Sequence, residues 1–190
     1  MTVPGNLYLA LLHYPVQDKN GAVIASAVSN LDLHDIARAA KTYGAKALYI
    51  VTPLSDQREL VHRIVSHWTT GVGSEYNPDR RAALSLIKVA ASLGAVLDDV
   101  ENEGAGVPVT VVTDAKPHPN NISFKRLEEI LATGRPHIIL FGTAWGLTRE
   151  FIEEADYVLS PIMGHTEYNH LSVRSAAAIV LDRLLGKDRN

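Results

Sequence analysis

The sequence predicts an α/β fold: a mainly parallel sheet with helices on both faces. Two observations carry that reading. Short apolar runs recur along the chain without the apolar-polar alternation of a half-exposed strand. Segments of helical periodicity separate them, and strands joined in this way by helices lie parallel.

The first strand is read from Leu7 to His13, and a helix follows from about Asp32 to Gly44, whose glycine suits the left-handed position after a helix. ALYIV (Ala47 to Val51) is the second strand. The next helix starts after Ser55 and puts Leu60, Val61, Ile64, Val65 and Trp68 on one stripe. A third opens at Asn77-Pro78, a cap followed by a first-turn proline, and its spacing turns Leu84, Ile87 and Ala91 inward. Gly94 to Gly106 is ambiguous, with room for a short strand, a helical turn or both. Strand VTVV (Val109 to Val112), a helix from Ser123 to Ala132 ended by Gly134, and strand HIILF (His137 to Phe141) come next. After a short acidic helix that Thr148 can cap, Tyr157 to Leu159 is the last strand, and Ser172 to Leu185 the last helix, ended by Gly186.

All 190 residues read as one domain, with no repeat, low-complexity tract or linker-like shift in composition. Hydrophobic residues make up 46% and charged residues 21%, the balance of a soluble globular chain. No apolar run is long enough to cross a bilayer, and the N-terminus has no basic stretch before its apolar run, so neither membrane span nor secretory leader is expected. The absence of cysteine excludes thiolate and disulfide chemistry and suits the cytoplasm. Net charge is -3, so RNA contact would need a local patch; Arg80, Arg81 and Lys88 on one helix, or Lys125 and Arg126 on another, are candidates, with ordinary solvated helix faces the alternative.

Familiar nucleotide and hydrolase signatures are missing. There is no GxxxxGK[ST], no GxGxxG after the first strand, no serine elbow and no HExxH helix. His62 and His67 are five apart and face different directions, so no metal site is expected. The C-terminal third differs, because features that suit a ligand coincide there. Gly142 directly after a strand lets backbone approach a bound molecule, and Gly146 lets the chain turn. Pro161 and Gly164 shape the loop after the next strand, while Asn169, His170 and Ser172 bring polar groups to the mouth of the last helix. Each glycine alone would be read as a turn. Together they sit where open α/β sheets bind ligands.

These segments resemble the SPOUT methyltransferases. The 2'-O-ribose branch of that superfamily carries a strand ending in G-x-E-x-x-G-L, then I-P-M-x-G, then S-L-N-V-S-x-A-x-x-I; this chain has FGTAWGL, SPIMG and HLSVRSAAAI. RAAKTYG (Arg38 to Gly44) is similar to the R-T-A-x-x-[FY]-G helix end of the same branch. The likeness covers most of the chain and is nearest to a small bacterial family of RNA methyltransferases, some joined to the tRNA guanine-N1 methyltransferase. It implies a C-terminal deep trefoil knot, S-adenosylmethionine bound bent in the knot, a homodimer formed through the knot region, and an RNA substrate (tRNA or rRNA).

By resemblance, Thr113, Asp114, Gly142, Thr143, Gly146, Pro161, Ile162, Gly164, Asn169, Leu171 and Ser172 surround the cofactor. Arg38 is the expected acceptor-side residue, contributed across the dimer, with Asp32, Asp35 and His170 as further catalytic candidates. A salt bridge to Asp35 is the bland alternative for Arg38, and helix capping the alternative for Asp32. Asp32 falls where the ribose branch has asparagine, Ala144 or Trp145 where it has glutamate, and Ser172 where it has asparagine. The pocket rests on backbone and glycine and survives these changes; the ribose chemistry is not carried over with it. Two other readings stand beside the enzyme: a non-catalytic knotted protein that binds a ligand or RNA, and an unrelated Rossmann-like small-molecule binder.

Overall fold

The computed structural model describes residues 6–187; the extreme N-terminus, part of the stretch searched for a leader, lies outside them. The chain opens with β1 (Leu7–Leu12), then a two-stranded ribbon of β2 (Val16–Gln17) and β3 (Val23–Ile24), and α1 (Asn30–Thr42). There follow β4 (Ala47–Val51), α2 (Ser55–Thr69), the short α3 (Gly73–Tyr76) and α4 (Pro78–Leu84). The middle of the chain forms β5 (Ile87–Ala90), α5 (Leu93–Val100), β6 (Val109–Thr113), β7 (Asn121–Ile122) and α6 (Phe124–Leu131). It closes with β8 (His137–Gly142), α7 (Arg149–Glu153), β9 (Tyr157–Leu159) and α8 (Val173–Leu185).

Seven strands form one sheet in the order β5-β4-β1-β8-β6-β9-β7, and every pairing in it is parallel. Because successive side chains on a strand point to opposite faces, the unbroken apolar runs feed two cores. On one face, Leu7, Leu9, Leu11, Ile139 and Phe141 pack under Leu33 and Ile36 of α1, Val61 of α2, Leu84 of α4, Leu127 of α6 and Leu181 of α8. On the other, Tyr8, Leu12, Tyr49, Ile138 and Leu140 meet Val96 and Val100 of α5 and Ile152 of α7. Helices therefore cover both faces, as the strand composition predicts.

The helix ends follow their sequence signals. Asn77 accepts from Arg80 N at 2.9 Å with Pro78 in the first turn, and Ser123, Thr148 and Ser172 each cap the helix that follows them. Gly44 and Gly134 take positive φ after α1 and α6.

One reading is corrected. The helix opened by Pro78 stops at Leu84, and Ile87 and Ala90 belong to edge strand β5, which pairs with β4 from Leu48↔Ile87 to Val51↔Ala90; Ala91 lies beyond it. Lys88 sits on that strand, paired with Asp99 and Glu103, and not on one helix with Arg80 and Arg81. The spacing of Leu84, Ile87 and Ala91 does fit a helix. Ile-Lys-Val-Ala fits a strand equally well, and a parallel partner beside β4 outweighs local preference. The ambiguous stretch from Gly94 is α5 followed by a π-helical turn, Glu101–Ala105. That turn is tied to the sheet: Tyr8 Oη donates to Glu103 at 2.6 Å and Tyr49 Oη to Asp99 at 2.6 Å, with Lys88 bridging the two carboxylates.

Candidate functional site

A cleft of about 850 Å³ opens at the carboxyl ends of β6, β8 and β9, within the range of roughly 300–1,000 Å³ usual for small-ligand sites. Its walls are three loops. The loop after β8 is folded tightly: a Cβ on Gly142 would lie 2.8 Å from Leu147 Cγ and 3.1 Å from Leu147 N, so any larger residue there forces Leu147 to shift. Gly146 has φ +99 and Ala144 φ 51, and the turn is tied to the β2 segment by Trp145 N to Gln17 O (3.2 Å) and Gln17 N to Gly146 O (2.9 Å).

Thr143 anchors the base of this loop. Its Oγ1 lies 3.0 Å from Leu12 O and 2.6 Å from Ser26 Oγ, which in turn meets His13 Nδ1 at 2.9 Å. His13 is fully buried, and burial lowers its pKa to about 4, so the ring is neutral at physiological pH. Sequence reasoning missed this buried relay, since nothing in the spacing of His13, Ser26 and Thr143 announces it.

The second wall is the loop after β6. Thr113 Oγ1 donates to Leu140 O at 2.9 Å, and Asp114 turns its carboxylate to His118 Nε2 at 2.7 Å. The third wall is the long segment between β9 and α8, which supplies Pro161, Ile162, Asn169, His170, Leu171 and Ser172. Asn169 Nδ2 donates to Ala115 O at 2.8 Å and so pins the third wall to the second. Among the described residues, no backbone N–H or C=O of residues 161–171 makes a hydrogen bond, although Pro161, Ile162 and Asn169 are half-buried. Backbone polar groups left open at the edge of a cleft are donors and acceptors for a ligand.

At the side of the cleft stands Asp32, in the first turn of α1 but not its cap, which is Ser29. Arg174, in the first turn of α8, reaches Asp32 at 3.5 Å and Asp35 at 3.7 Å. Burial raises the Asp32 pKa, Arg174 opposes the rise, and Asp35 adds to it. The structure thus gives Asp35 to Arg174 and not to Arg38, whose exposed guanidinium has no ion-pair partner among the described residues.

The predicted residues therefore divide. Thr113, Asp114, Gly142, Thr143, Gly146, Pro161, Ile162, Asn169, Leu171, Ser172, His170 and Asp32 line the cleft together. Gly164 lies on the exposed part of the third wall, with open space where a Cβ would go, and Arg38 and Asp35 sit on α1 outside the lining. Among residues the prediction left out, Trp145, Lys116 and Glu167 line the mouth. Among the described residues there is no cluster of His, Cys, Asp and Glu fit to hold a metal, and no helix long and apolar enough to cross a membrane.

The sequence model of a family described as SAM-dependent RNA methyltransferases matches residues 6–186. The chain belongs to that family. Its members draw the methyl group from S-adenosylmethionine, and this chain is such a methyltransferase. It is 40% identical over 185 residues to an uncharacterized protein of Aquifex aeolicus, covering 97% of this chain and 90% of that one. It is 46% identical over 184 residues to a tRNA (guanine-N(1)-)-methyltransferase of Nitratidesulfovibrio vulgaris, and 42% identical to one of Oleidesulfovibrio alaskensis. The chain spans only 43% of the length of either of those two proteins.

Solved structures agree on the fold of this methyltransferase. It resembles the SpoU methyltransferase AviRb of Streptomyces viridochromogenes in complex with AdoMet (TM-score 0.58, 22% identity, 95% of this chain and 57% of that one). TrmJ of Z. mobilis is also similar (TM-score 0.62, 14% identity, 97% and 69%). The residues of the cleft fit the donor of the family. Its volume suffices, Asp114 in the second wall places a carboxylate beside a molecule with cationic sulfonium and ammonium groups, and the open backbone of the third wall suits an adenine edge.

Proposed function

We propose that the chain methylates RNA, tRNA or rRNA, as a homodimer in the cytoplasm, with S-adenosylmethionine held bent between the three walls. The observation that carries the proposal is the cleft itself: the ends of β6, β8 and β9 with a glycine-shaped loop after β8, beside a segment whose backbone polar groups are unengaged. Thr113, Asp114, Gly142, Thr143 and Gly146 form one side of the seat, and Pro161, Ile162, Asn169, Leu171 and Ser172 the other. A trefoil knot accords with the path of the chain. β8 inserts between β1 and β6, β9 lies beyond β6, and Asn169 ties the segment before α8 back to the loop after β6.

The donor supplies an electrophilic methyl group; the chain orients the acceptor and receives its proton. Asp32 is the group we assign to that proton. Its carboxylate lines the cleft, and burial raises its proton affinity while Arg174 opposes the rise. Arg38, exposed and unpaired, reaches the acceptor of the second subunit across an interface built on α1 and α8, where Leu31 is 60% exposed and Ser175 and Ala178 face outward.

Calorimetric titration with S-adenosylmethionine and S-adenosylhomocysteine tests the seat, and binding of neither overturns it. Mass spectrometry of nucleosides in RNA from cells with and without the protein identifies the product. No difference in any modified nucleoside, together with no labelled methyl incorporated in vitro, would remove RNA as the acceptor.

A further inference from the structure

Two loops that line the cleft bring aromatic rings together at its mouth. Trp145 comes from the loop after β8, and His170 from the segment before α8; their centroids are 6.5 Å apart and their planes cross at 84°. Tyr168 adds a third ring, 5.7 Å from His170. Trp145 is 63% exposed and Tyr168 76%, an unusual state for large aromatic surfaces that burial would stabilise. Such rings beside a ligand cleft invite a flat partner.

The charges around them narrow the partner. Lys116 lines the same mouth and has no acidic partner among the described residues, so it is open to a phosphate. Glu167, also at the mouth, offers a carboxylate to N–H donors. A flat π-system, an N–H edge and a phosphate are together the recognition features of a nucleotide whose base is unstacked from its neighbours.

We propose that Trp145 forms the platform on which the acceptor nucleobase stacks, with His170 standing edge-on beside it and Lys116 on the phosphate. The platform is a positioning device: it selects an unpaired base and holds its nucleotide against the cleft that seats the donor. This rests on the reading of the chain as an RNA methyltransferase. It goes further by naming the acceptor class, a nucleotide presented single-stranded, and the residues that grip it.

The test uses the whole protein and a dye-labelled, single-stranded oligoribonucleotide of mixed sequence, followed by fluorescence anisotropy. The same sugar-phosphate chain without bases serves as control. Trp145→Ala should weaken oligonucleotide binding roughly ten-fold or more, Trp145→Phe should keep it within about three-fold, and the baseless chain should bind the unaltered protein and Trp145→Ala alike. In Trp68→Phe, where Trp145 is the remaining indole, its emission should be quenched by the oligonucleotide and not by the baseless chain. Equal binding by Trp145→Ala, no binding by the unaltered protein, or quenching by the baseless chain would each overturn the platform. So would dissociation of a dimer on Trp145→Ala in sedimentation, which would make the rim a subunit contact. Calorimetry with S-adenosylmethionine on the unaltered protein keeps the two proposals apart: loss of the platform leaves donor binding standing, and failure of donor binding removes the methyltransferase seat.

Discussion

Removing the Arg174 guanidinium isolates the electrostatics of the cleft. Arg174 lies 3.5 Å from Asp32 and 3.7 Å from Asp35, with its own side chain 30% exposed and that of Asp32 16%. At 3.5 Å a pair of unit charges attracts by about 1 kcal/mol in water and about 5 kcal/mol at an effective dielectric near 20. Partial exposure places this pair in the lower half of that range. The hydration that Arg174 recovers on removal brings the net loss to about 1–2 kcal/mol. Arg174→Gln should therefore lower Tm by about 2–8 °C at pH 7, with the denaturation midpoint falling in step. The pH dependence fixes the cause. Asp32 already has a raised pKa in the folded protein, and without Arg174 it rises further. The stability tied to a raised carboxyl is fully present below its unfolded pKa and is lost as pH rises through the folded one. The gap between Arg174→Gln and the unaltered protein should thus be widest near neutrality and shrink as acid protonates Asp32. In Asp32→Asn the same substitution should cost less. A gap independent of pH, or strict additivity of the two substitutions, would refute the reasoning.

Three further outcomes follow from the geometry. Gly142→Ala puts a methyl 2.8 Å from Leu147 Cγ and 3.1 Å from its backbone N, so it should cost about 1–3 kcal/mol in urea unfolding and weaken S-adenosylmethionine binding as the loop shifts. His13 is neutral when buried, with a pKa of about 4 against an ordinary 6.5, so its stabilising effect is present above pH 6.5 and is lost toward pH 4 at about 1.4 kcal/mol per pH unit. His13→Gln should flatten the stability profile over that interval, as measured by denaturant titrations at each pH. Arg38→Ala should leave Tm within about 1 °C of the unaltered protein, because the side chain is exposed and unpaired, yet lower labelled-methyl transfer by about 100-fold or more.

The legible parts of the sequence were those governed by local chemistry. Runs such as ALYIV and HIILF state that a strand is buried on both faces, and Asn77-Pro78 or Ser172 state where a helix begins, because one or two residues suffice to fix such features. Gly142 and Gly146 were legible as glycines of a tight loop: Gly146 turns the chain at φ +99 as expected, whereas what crowds Gly142 is Leu147 of its own loop and not the bound ligand the sequence suggested. β5 was not, since Leu84, Ile87 and Ala91 satisfy a helical period and only the neighbouring β4 decides otherwise. Arg174 was missed because its partners lie on α1, more than a hundred positions earlier, and charge pairs between helices leave no trace in spacing. The relay from Thr143 through Ser26 to His13 is hidden in the same way.

The departures from the ribose-methylating pattern acquire a structural sense in the cleft. Where that pattern has a glutamate, this chain has Ala144 at φ 51 and then an indole that stands out at the mouth. Losing an acid there does not leave the cleft without one, because Asp32, where that pattern has an asparagine, lines it too and is paired with Arg174. An asparagine can orient an acceptor but cannot take up its proton; an aspartate with raised proton affinity can. Acceptors that lose a proton on methylation, a ring N–H as much as a hydroxyl, gain from that exchange. With the roles we propose for Asp32 and Trp145, which line one cleft, the flat one of these is the favoured acceptor.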